Sequence, residues 1–189
     1  DPSVFTGSNI LTQSAATSIA GGFLRTLDAL PKDYSQTPTV TFLTYNGAQF
    51  IPIGTSENSS VATAARVDYF RNKVDSFPVV NPEFNKGNIS VIVAKNQDKN
   101  KQIITAERNY QEISNEDIGI YPVKSGESAW ADFLNGQGYI PNPGNSAITK
   151  RAVIRDSYLA YYDTGSEISY LVPVYVFVGD DGFVGYVQA

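Results

Sequence analysis

The sequence contains no cysteine, no histidine and no methionine. Without cysteine, the chain can form no disulfide and no thiolate metal site, and it has no thiol nucleophile. Without histidine, it lacks the usual zinc ligand, the Ser-His-Asp triad and imidazole acid–base catalysis. Because there is no initiator methionine, we expect Asp1 to mark processing or an expression boundary. These absences leave carboxylates as the main groups available for catalysis.

The sequence also has little positive charge and no long apolar run. Its 14 basic residues are scattered among 19 acidic ones, and the net charge is −5. This pattern predicts neither a nucleic-acid partner nor an anionic membrane surface. No apolar run approaches the roughly 20 residues of a transmembrane helix, so we predict no membrane span within this chain. The composition is typical of exported bacterial proteins, and we expect an extracytoplasmic domain, either secreted or held by an anchor outside this chain.

Apolar and aromatic residues are plentiful enough for a core. They make up 42% of the 189 residues, with 12 tyrosines and 10 phenylalanines. Near the C-terminus, Val174, Val176 and Val178 alternate with Tyr175 and Phe177. A strand that is apolar on both faces belongs at the centre of a packed sheet, and the Gly-Asp-Asp-Gly that follows predicts a hairpin turn.

Two segments have the apolar spacing of helices. Residues 8–30 form the first, with Ser8 or Asn9 as its cap. The second covers Glu127–Leu134, and Ser125 is placed to cap it.

Strand signals occupy most of the remaining chain. Thr39–Tyr45 and Gln49–Ile53 flank Asn46-Gly47, the strongest short hairpin turn. Tyr139–Ser146 contains proline and glycine and is predicted to be a loop. Further strands are predicted within Val61–Arg71, Val74–Val80, Ile89–Ala94, Gln102–Ile113 and Ile148–Tyr162.

Together these elements predict an α+β fold, with an antiparallel sheet or sheets and few helices packed on one face. The order of helix, strand with two adjacent aromatic residues, turn and proline-containing strand occurs twice. It indicates two helix-plus-sheet units, residues 1–113 and a smaller unit over residues 114–189, either as separate units or as one continuous domain.

The recurring pattern consists of Tyr69-Phe70 with Phe77-Pro78-Val79, and of Tyr161-Tyr162 with Val172-Pro173-Val174. With a helix in front and a hairpin behind, residues 61–189 resemble the PepSY-type unit and the extracytoplasmic regulators of the YycH/YycI type. The resemblance implies a bacterial envelope protein built of helix-plus-sheet repeats. It also implies a non-catalytic role, in which the domain binds or restrains a protein such as a sensor kinase or a peptidase.

Asp180-Asp181-Gly182 is the most acidic point of the sequence. Adjacent carboxylates in a turn point in different directions, whereas glycosidase chemistry needs two carboxyl groups that converge from about 5–10 Å. Aspartate and glycine also suit tight turns, and we predict a turn here.

A second motif has the spacing of a calcium loop. Asn96, Asp98 and Asn100 carry oxygens at alternate positions, and Glu107 stands at the twelfth position. Lys101 replaces the glycine that such loops need, and no helices flank the segment. We therefore predict a solvated hairpin tip, and we predict no metal, cofactor or catalytic residue in this chain.

Tyrosines form the best candidate binding surface. They cluster near the C-terminus together with Trp130, and either they bind a peptide or glycan or they pack as core and cross-strand pairs. We take Tyr161, Tyr162, Tyr170 and Tyr175 as candidate partner-binding residues. Since Tyr161 and Tyr162 are consecutive, one of them should point outward from the sheet.

The function that we predict is a non-enzymatic extracytoplasmic domain that binds or regulates a protein partner in the cell envelope, through a sheet face or an exposed edge. One alternative is a glycan-binding module that uses exposed tyrosines. A second alternative is a hydrolase that works with carboxylates alone.

Overall fold

The computed structural model describes Phe5 and residues 11–54, 61–114, 119–144, 146–149, 151–166 and 170–189. The prediction of an α+β fold with few helices is confirmed, because ten strands form two five-stranded and mostly antiparallel sheets. The chain divides into two compact units. Unit 1 is Asp1–Arg71 with Gly87–Asn109, and unit 2 is Asn72–Lys86 with Tyr110–Ala189.

Within the described residues, unit 1 contains one helix and five strands. They are α1 (Gln13–Thr26), β1 (Thr39–Tyr45), β2 (Phe50–Gly54), β3 (Ala64–Tyr69), β5 (Ile89–Ala94) and β6 (Ile103–Arg108). Unit 2 contains β4 (Val79–Val80), α2 (Gly126–Leu134), β7 (Tyr139–Asn142), α3 (Ser146–Thr149), β8 (Ile154–Tyr162), β9 (Val172–Gly179) and β10 (Val184–Gln188).

The sheet of unit 1 has the order β2-β1-β3-β5-β6, and α1 packs against β1, β3 and β5. The helix begins later than its apolar spacing predicts. Thr12 is its cap, because the Thr12 hydroxyl accepts a hydrogen bond from the Ala15 amide at 3.1 Å. The predicted caps, Ser8 and Asn9, lie outside the described residues.

The predicted turn between β1 and β2 is confirmed. Gly47 has a φ of 98°, a conformation that glycine adopts without steric cost. The Asn46 side-chain oxygen accepts hydrogen bonds from the amides of Ala48 and Gln49, at 3.0 and 2.9 Å. Glycine thus supplies the positive φ of this turn, and asparagine supplies a side-chain acceptor for its amides.

The middle strand of unit 1, β3, is buried on both faces. Val67 and Tyr69 are buried on the face that α1 covers, and Asp68 is buried on the other. The Asp68 carboxylate accepts hydrogen bonds from the Arg66 guanidinium at 2.8 Å and from the Gly87 amide at 3.1 Å. Ionic and hydrogen-bond partners of this kind are what a buried carboxylate needs in order to stay charged.

The sheet of unit 2 has the order β4-β8-β9-β10-β7. Strand β9 is therefore central, and the predicted C-terminal hairpin of β9 and β10 is confirmed. Strand β4 runs parallel to β8, and the other pairs are antiparallel. Each unit thus has a helix and a five-stranded sheet, but the order of strands differs between them.

The strand predicted within Val74–Val80 is much shorter than that range. Only Val79–Val80 is a strand, and it pairs with Tyr161–Tyr162 of the other sheet. Residues 74–77 form a tight turn, in which Asp75 and Ser76 have φ values of 47° and 73°. Pro78, which follows, has no N–H to donate to a ladder.

Two further predictions need correction. Tyr139–Ser146 was predicted to be a loop, but its first four residues form β7, an edge strand on β10. Proline is tolerated in edge strands, because its missing N–H can face away from the neighbouring strand. The strand predicted over Gln102–Ile113 is shorter than expected, because β6 ends at Arg108.

Helix α2 matches its prediction closely. The Ser125 hydroxyl accepts a hydrogen bond from the Ser128 amide at 3.2 Å, and Gly136, just past the helix end, has a φ of 79°. The helix packs on β10 through Ala129 and Phe133. A Cβ at Gly185 would lie 2.3 Å from the Phe133 ring, so the helix approaches the sheet at a residue that has no side chain.

Two glycines of unit 1 give a matched test of the space that the structure leaves around each of them. Gly22→Ala should stabilise the unit by about 1 kcal/mol, because alanine is the better helix former and nothing lies within 4 Å of the added Cβ. Gly87→Ala should destabilise it by about 1–3 kcal/mol, because the added Cβ would lie 2.4 Å from the Tyr69 carbonyl oxygen. Urea denaturation followed by circular dichroism gives both free energies of unfolding, and changes of the same sign would contradict the packing.

Candidate functional site

The sheet of unit 2 has two faces. One, here called the helix face, carries Tyr161, Pro173, Tyr175, Phe177 and Val187, and α2 covers part of it. The other, here called the tyrosine face, carries Tyr158, Tyr162 and Tyr186 beside valines of β9 and β10. The alternation of side chains along the strands, together with the register, assigns these residues to their faces.

Among the described residues, α2 covers the helix face over part of β9 and β10. Phe177 and Val187 are buried there beneath α2. The Trp130 ring centroid lies 5.1 Å from that of Phe177 and 5.9 Å from that of Phe133, yet Trp130 remains 37% exposed. Trp130 therefore belongs to the border of the core and also to the surface.

Two of the four predicted binding residues, Tyr161 and Tyr175, lie together on the helix face and are half-buried. Their strands are directly paired, with Tyr161 opposite Pro173. The Tyr175 hydroxyl donates a hydrogen bond to the Lys124 carbonyl at 3.0 Å. The Phe77 ring meets Tyr161 edge-on, with the centroids 6.1 Å apart. Aromatic side chains therefore continue beyond the part of this face that α2 covers.

The other two predicted residues lie elsewhere. Tyr162 is half-buried on the tyrosine face, opposite to its neighbour Tyr161. Tyr170 is 52% exposed and precedes β9. The four residues therefore do not form one cluster.

The tyrosine face contains a cluster of tyrosines that the sequence analysis did not predict. Tyr186 is buried, and its ring centroid lies 5.9 Å from that of Tyr162 and 6.4 Å from that of Tyr139. Burial raises the pKa of the Tyr186 hydroxyl above its ordinary value, and the nearby hydroxyls of Tyr158, Tyr162 and Tyr139 raise it further. Tyr139 was missed because its segment was predicted to be a loop, and no short-range signal links it to Tyr186.

Asp180 and Asp181 lie in the turn between β9 and β10, as the sequence predicts. The Arg155 guanidinium donates two hydrogen bonds to Asp180, at 2.8 and 2.6 Å, and this contact lowers the pKa of the Asp180 carboxyl. Asp181 has a φ of 56°, the left-handed conformation that aspartate tolerates in turns. The Asp180 carboxylate is therefore held by Arg155, and Asp181 has a backbone conformation that suits the turn.

The loop with calcium-like spacing uses its oxygens locally. The Asn96 side-chain oxygen accepts a hydrogen bond from the Asp98 amide at 2.9 Å, and the Asp98 carboxylate accepts one from the Asn100 amide at 3.0 Å. Within the described residues, no group of three or more carboxylates is arranged to hold a metal ion. These contacts are those of a hairpin tip.

The outer edge of β8 is only partly covered. Strand β8 has nine residues, and β4 pairs with two of them, Tyr161 and Tyr162. From Ile154 to Ala160, this edge has no neighbouring strand in the described part of the chain. Residues 155–157 are exposed there. An uncovered strand edge presents backbone hydrogen-bonding groups to other chains.

Exposed apolar side chains are concentrated in unit 2. Of the fifteen large apolar residues that the described ranges expose, three lie in unit 1 and twelve in unit 2. No helix among the described residues is long and apolar enough to cross a membrane.

Comparison with known proteins gives no relative, since no family model, no curated protein and no solved structure matches this chain. The resemblance to PepSY-type and YycH/YycI-type domains therefore stays a prediction.

The buried tyrosine cluster predicts a pH dependence. The folded-state pKa of Tyr186 lies above its value of 10.0 in the unfolded chain. Its contribution to stability is therefore complete below about pH 10 and is lost as the pH rises through the folded-state pKa. Burial raises the pKa values of Tyr158 and Tyr162 in the same direction. The free energy of unfolding should accordingly fall above about pH 10.

Tyr186→Phe isolates this effect. The Tyr186 hydroxyl has no hydrogen-bond partner among the described residues, so its removal should leave the stability near neutral pH unchanged or raised. The decline at alkaline pH should become shallower. Urea denaturation across this pH range measures both effects, with the exposed Tyr121→Phe as control. A variant that is less stable near neutral pH, with an unchanged alkaline slope, would contradict the assignment.

Proposed function

We propose that this chain is a non-enzymatic, extracytoplasmic domain of a bacterial cell-envelope protein, and that it binds a protein partner through unit 2. The observation that carries the proposal is the unequal distribution of exposed apolar side chains, twelve of fifteen in unit 2. Single exposed apolar residues are ordinary on any protein, but this excess makes unit 2 the better candidate for an interaction surface.

Helix α2 gives this surface a defined element. Trp130 and Leu134 are one helical turn apart, and they are 37% and 66% exposed. Only Ala129 of this nine-residue helix is fully buried. Tryptophan is enriched among the residues that contribute most to protein interfaces. An apolar pair on a lightly packed helix gives a protein partner a surface to contact.

The chemistry of the side chains also favours binding over catalysis. The chain has no histidine or cysteine, the Asp98 carboxylate accepts a hydrogen bond within its local turn, and the Asp180 carboxylate accepts hydrogen bonds from Arg155. The extracytoplasmic location rests on the composition and on the resemblance of residues 61–189 to envelope regulators. Both arguments support a domain that acts through contacts with another protein.

Two leucines provide a matched test. Leu134 ends α2 in unit 2 and is 66% exposed, while Leu27 follows α1 in unit 1 and is 59% exposed. The folded 189-residue chain serves as bait in cross-linked affinity capture from an envelope extract of its own organism. We expect a saturable protein partner that Leu134→Ser weakens by roughly tenfold, as loss of a buried leucine contact implies, and that Leu27→Ser leaves unchanged.

Circular dichroism must first show that both variants remain folded. Recovery of polysaccharide alone would support the glycan-binding alternative and contradict the proposal. Recovery of no saturable partner, or equal loss with both serine variants, would also contradict it.

A further inference from the structure

The outer edge of β8 has a specific set of unpaired backbone groups. The Tyr161 amide donates to the Pro78 carbonyl at 2.9 Å, so Tyr161 presents its backbone groups to the outer side. Backbone groups alternate between the two sides of a strand, and Ser157 and Leu159 therefore face the same way. Tyr158 and Ala160 face β9 and belong to the β8–β9 ladder.

One of these outward groups already has a partner. The Ser157 amide donates a hydrogen bond to the carboxylate of Asp156 at 2.8 Å. The described residues provide no hydrogen-bond partner for the outward amide and carbonyl of Leu159 or for the Ser157 carbonyl. Together these groups form the hydrogen-bonding row that an added strand would use.

We propose that an extended segment of the protein partner adds to β8 as a further strand over Ser157–Leu159, with a lysine or arginine of that segment facing Asp156. This inference rests on the proposed function, since it names the part of unit 2 that the partner contacts and the chemistry of the segment that binds there.

The chain already places one strand on this edge. Residues 78–80 lie along Tyr161–Asp163, where Pro78 and Val80 accept hydrogen bonds from the Tyr161 and Asp163 amides, both at 2.9 Å. Residues 74–77, which precede this strand, form a turn, and among the described residues no strand pairs with the outer side of Ile154–Ala160. Strand addition gives affinity through main-chain hydrogen bonds and specificity through alternate side chains.

The charges along the β8 edge favour a basic residue in the added segment. Asp156 is exposed, and it forms no ion pair within the part of the chain that the structure describes. The neighbouring Arg155 is already bound by Asp180. A residue directly opposite Asp156 on an added strand would lie about 5 Å from it, close enough for a favourable pair of opposite charges. When a carbonyl group of the added strand accepts the hydrogen bond from the Ser157 amide, the Asp156 carboxylate is released and can form this contact.

A second copy of the chain fits the edge less well. Two β8 strands related by a two-fold axis pair antiparallel, and β4 of each copy fills the edge beside Tyr161 and Tyr162. The longest pairing that keeps both copies clear of β4 centres on Ser157. In that pairing each Asp156 lies opposite Tyr158 of the other copy, so neither carboxylate gains a basic partner.

The test uses two probes. One is a set of peptides selected from a displayed random library on the folded 189-residue chain, and the other is the captured envelope partner. Ser157→Pro removes the outward amide and obstructs the edge, and it spares the β8–β9 ladder because proline is tolerated where its nitrogen faces away from the neighbouring strand. Ser157→Thr keeps the amide and is the matched control. We expect Ser157→Pro to weaken both probes by roughly tenfold or more and Ser157→Thr to leave them unchanged.

Two further measurements do not depend on how well the proline variant folds. In the wild-type protein, bound peptide should slow hydrogen exchange at the Leu159 amide, while the Ala160 amide, bonded to β9, should change little. Asp156→Lys should shift the selected peptides from lysine and arginine towards aspartate and glutamate.

Each outcome decides the inference. A Leu134-dependent partner that binds Ser157→Pro normally, with no protection at Leu159, would overturn strand addition and leave the proposed function standing. Failure to recover any partner or peptide would overturn both. Self-association of the wild-type chain that Ser157→Pro abolishes would show that a second copy occupies the edge, and it would also overturn the inference.

Discussion

The organisation of unit 2 depends on burying β9 from both sides. Valines occupy one face of this strand, and Tyr175 and Phe177 occupy the other, so neither face can be left to water without a large loss of hydrophobic stabilisation. The chain meets this constraint by placing β8 and β10 beside β9, α2 over Phe177, and tyrosines with Phe84 on the valine side. The β3 strand of unit 1 satisfies the same constraint, with α1 over one face and a paired Asp68 on the other.

The cover over β9 is thin, and the proposed function uses the surface that this leaves. A nine-residue helix shields β10 and part of β9, while Tyr161 and Tyr175 beyond it stay half-buried and Trp130 stays partly exposed. The β4 strand has only two residues and covers only the end of β8. Surfaces left incomplete in this way are suited to a second protein, through apolar side chains at α2 and through backbone groups at the β8 edge.

The sequence predicted those features that depend on short-range signals. The Asn46-Gly47 turn, the capped helix α2 and the C-terminal hairpin all follow from residues within a few positions of one another. The pairing of Val79 with Tyr161 was not predictable, since it joins residues far apart in the sequence and a tight turn had been interpreted as part of a strand. Likewise Tyr139 joins the Tyr186 cluster only because its proline-containing segment forms an edge strand. The consecutive Tyr161 and Tyr162 do lie on opposite faces, as the period of a strand requires.

Native-state hydrogen exchange of the free protein tests the central claim, that β9 is the middle strand of unit 2 and is paired on both sides, most directly. The amides of Val176 and Phe177 point to β8 and to β10 respectively, and both should exchange only when the whole unit unfolds. The outward amide of Leu159 should exchange much faster than either. Exchange of Val176 and Phe177 at the rate of Leu159, or protection of Leu159 equal to theirs, would contradict the account.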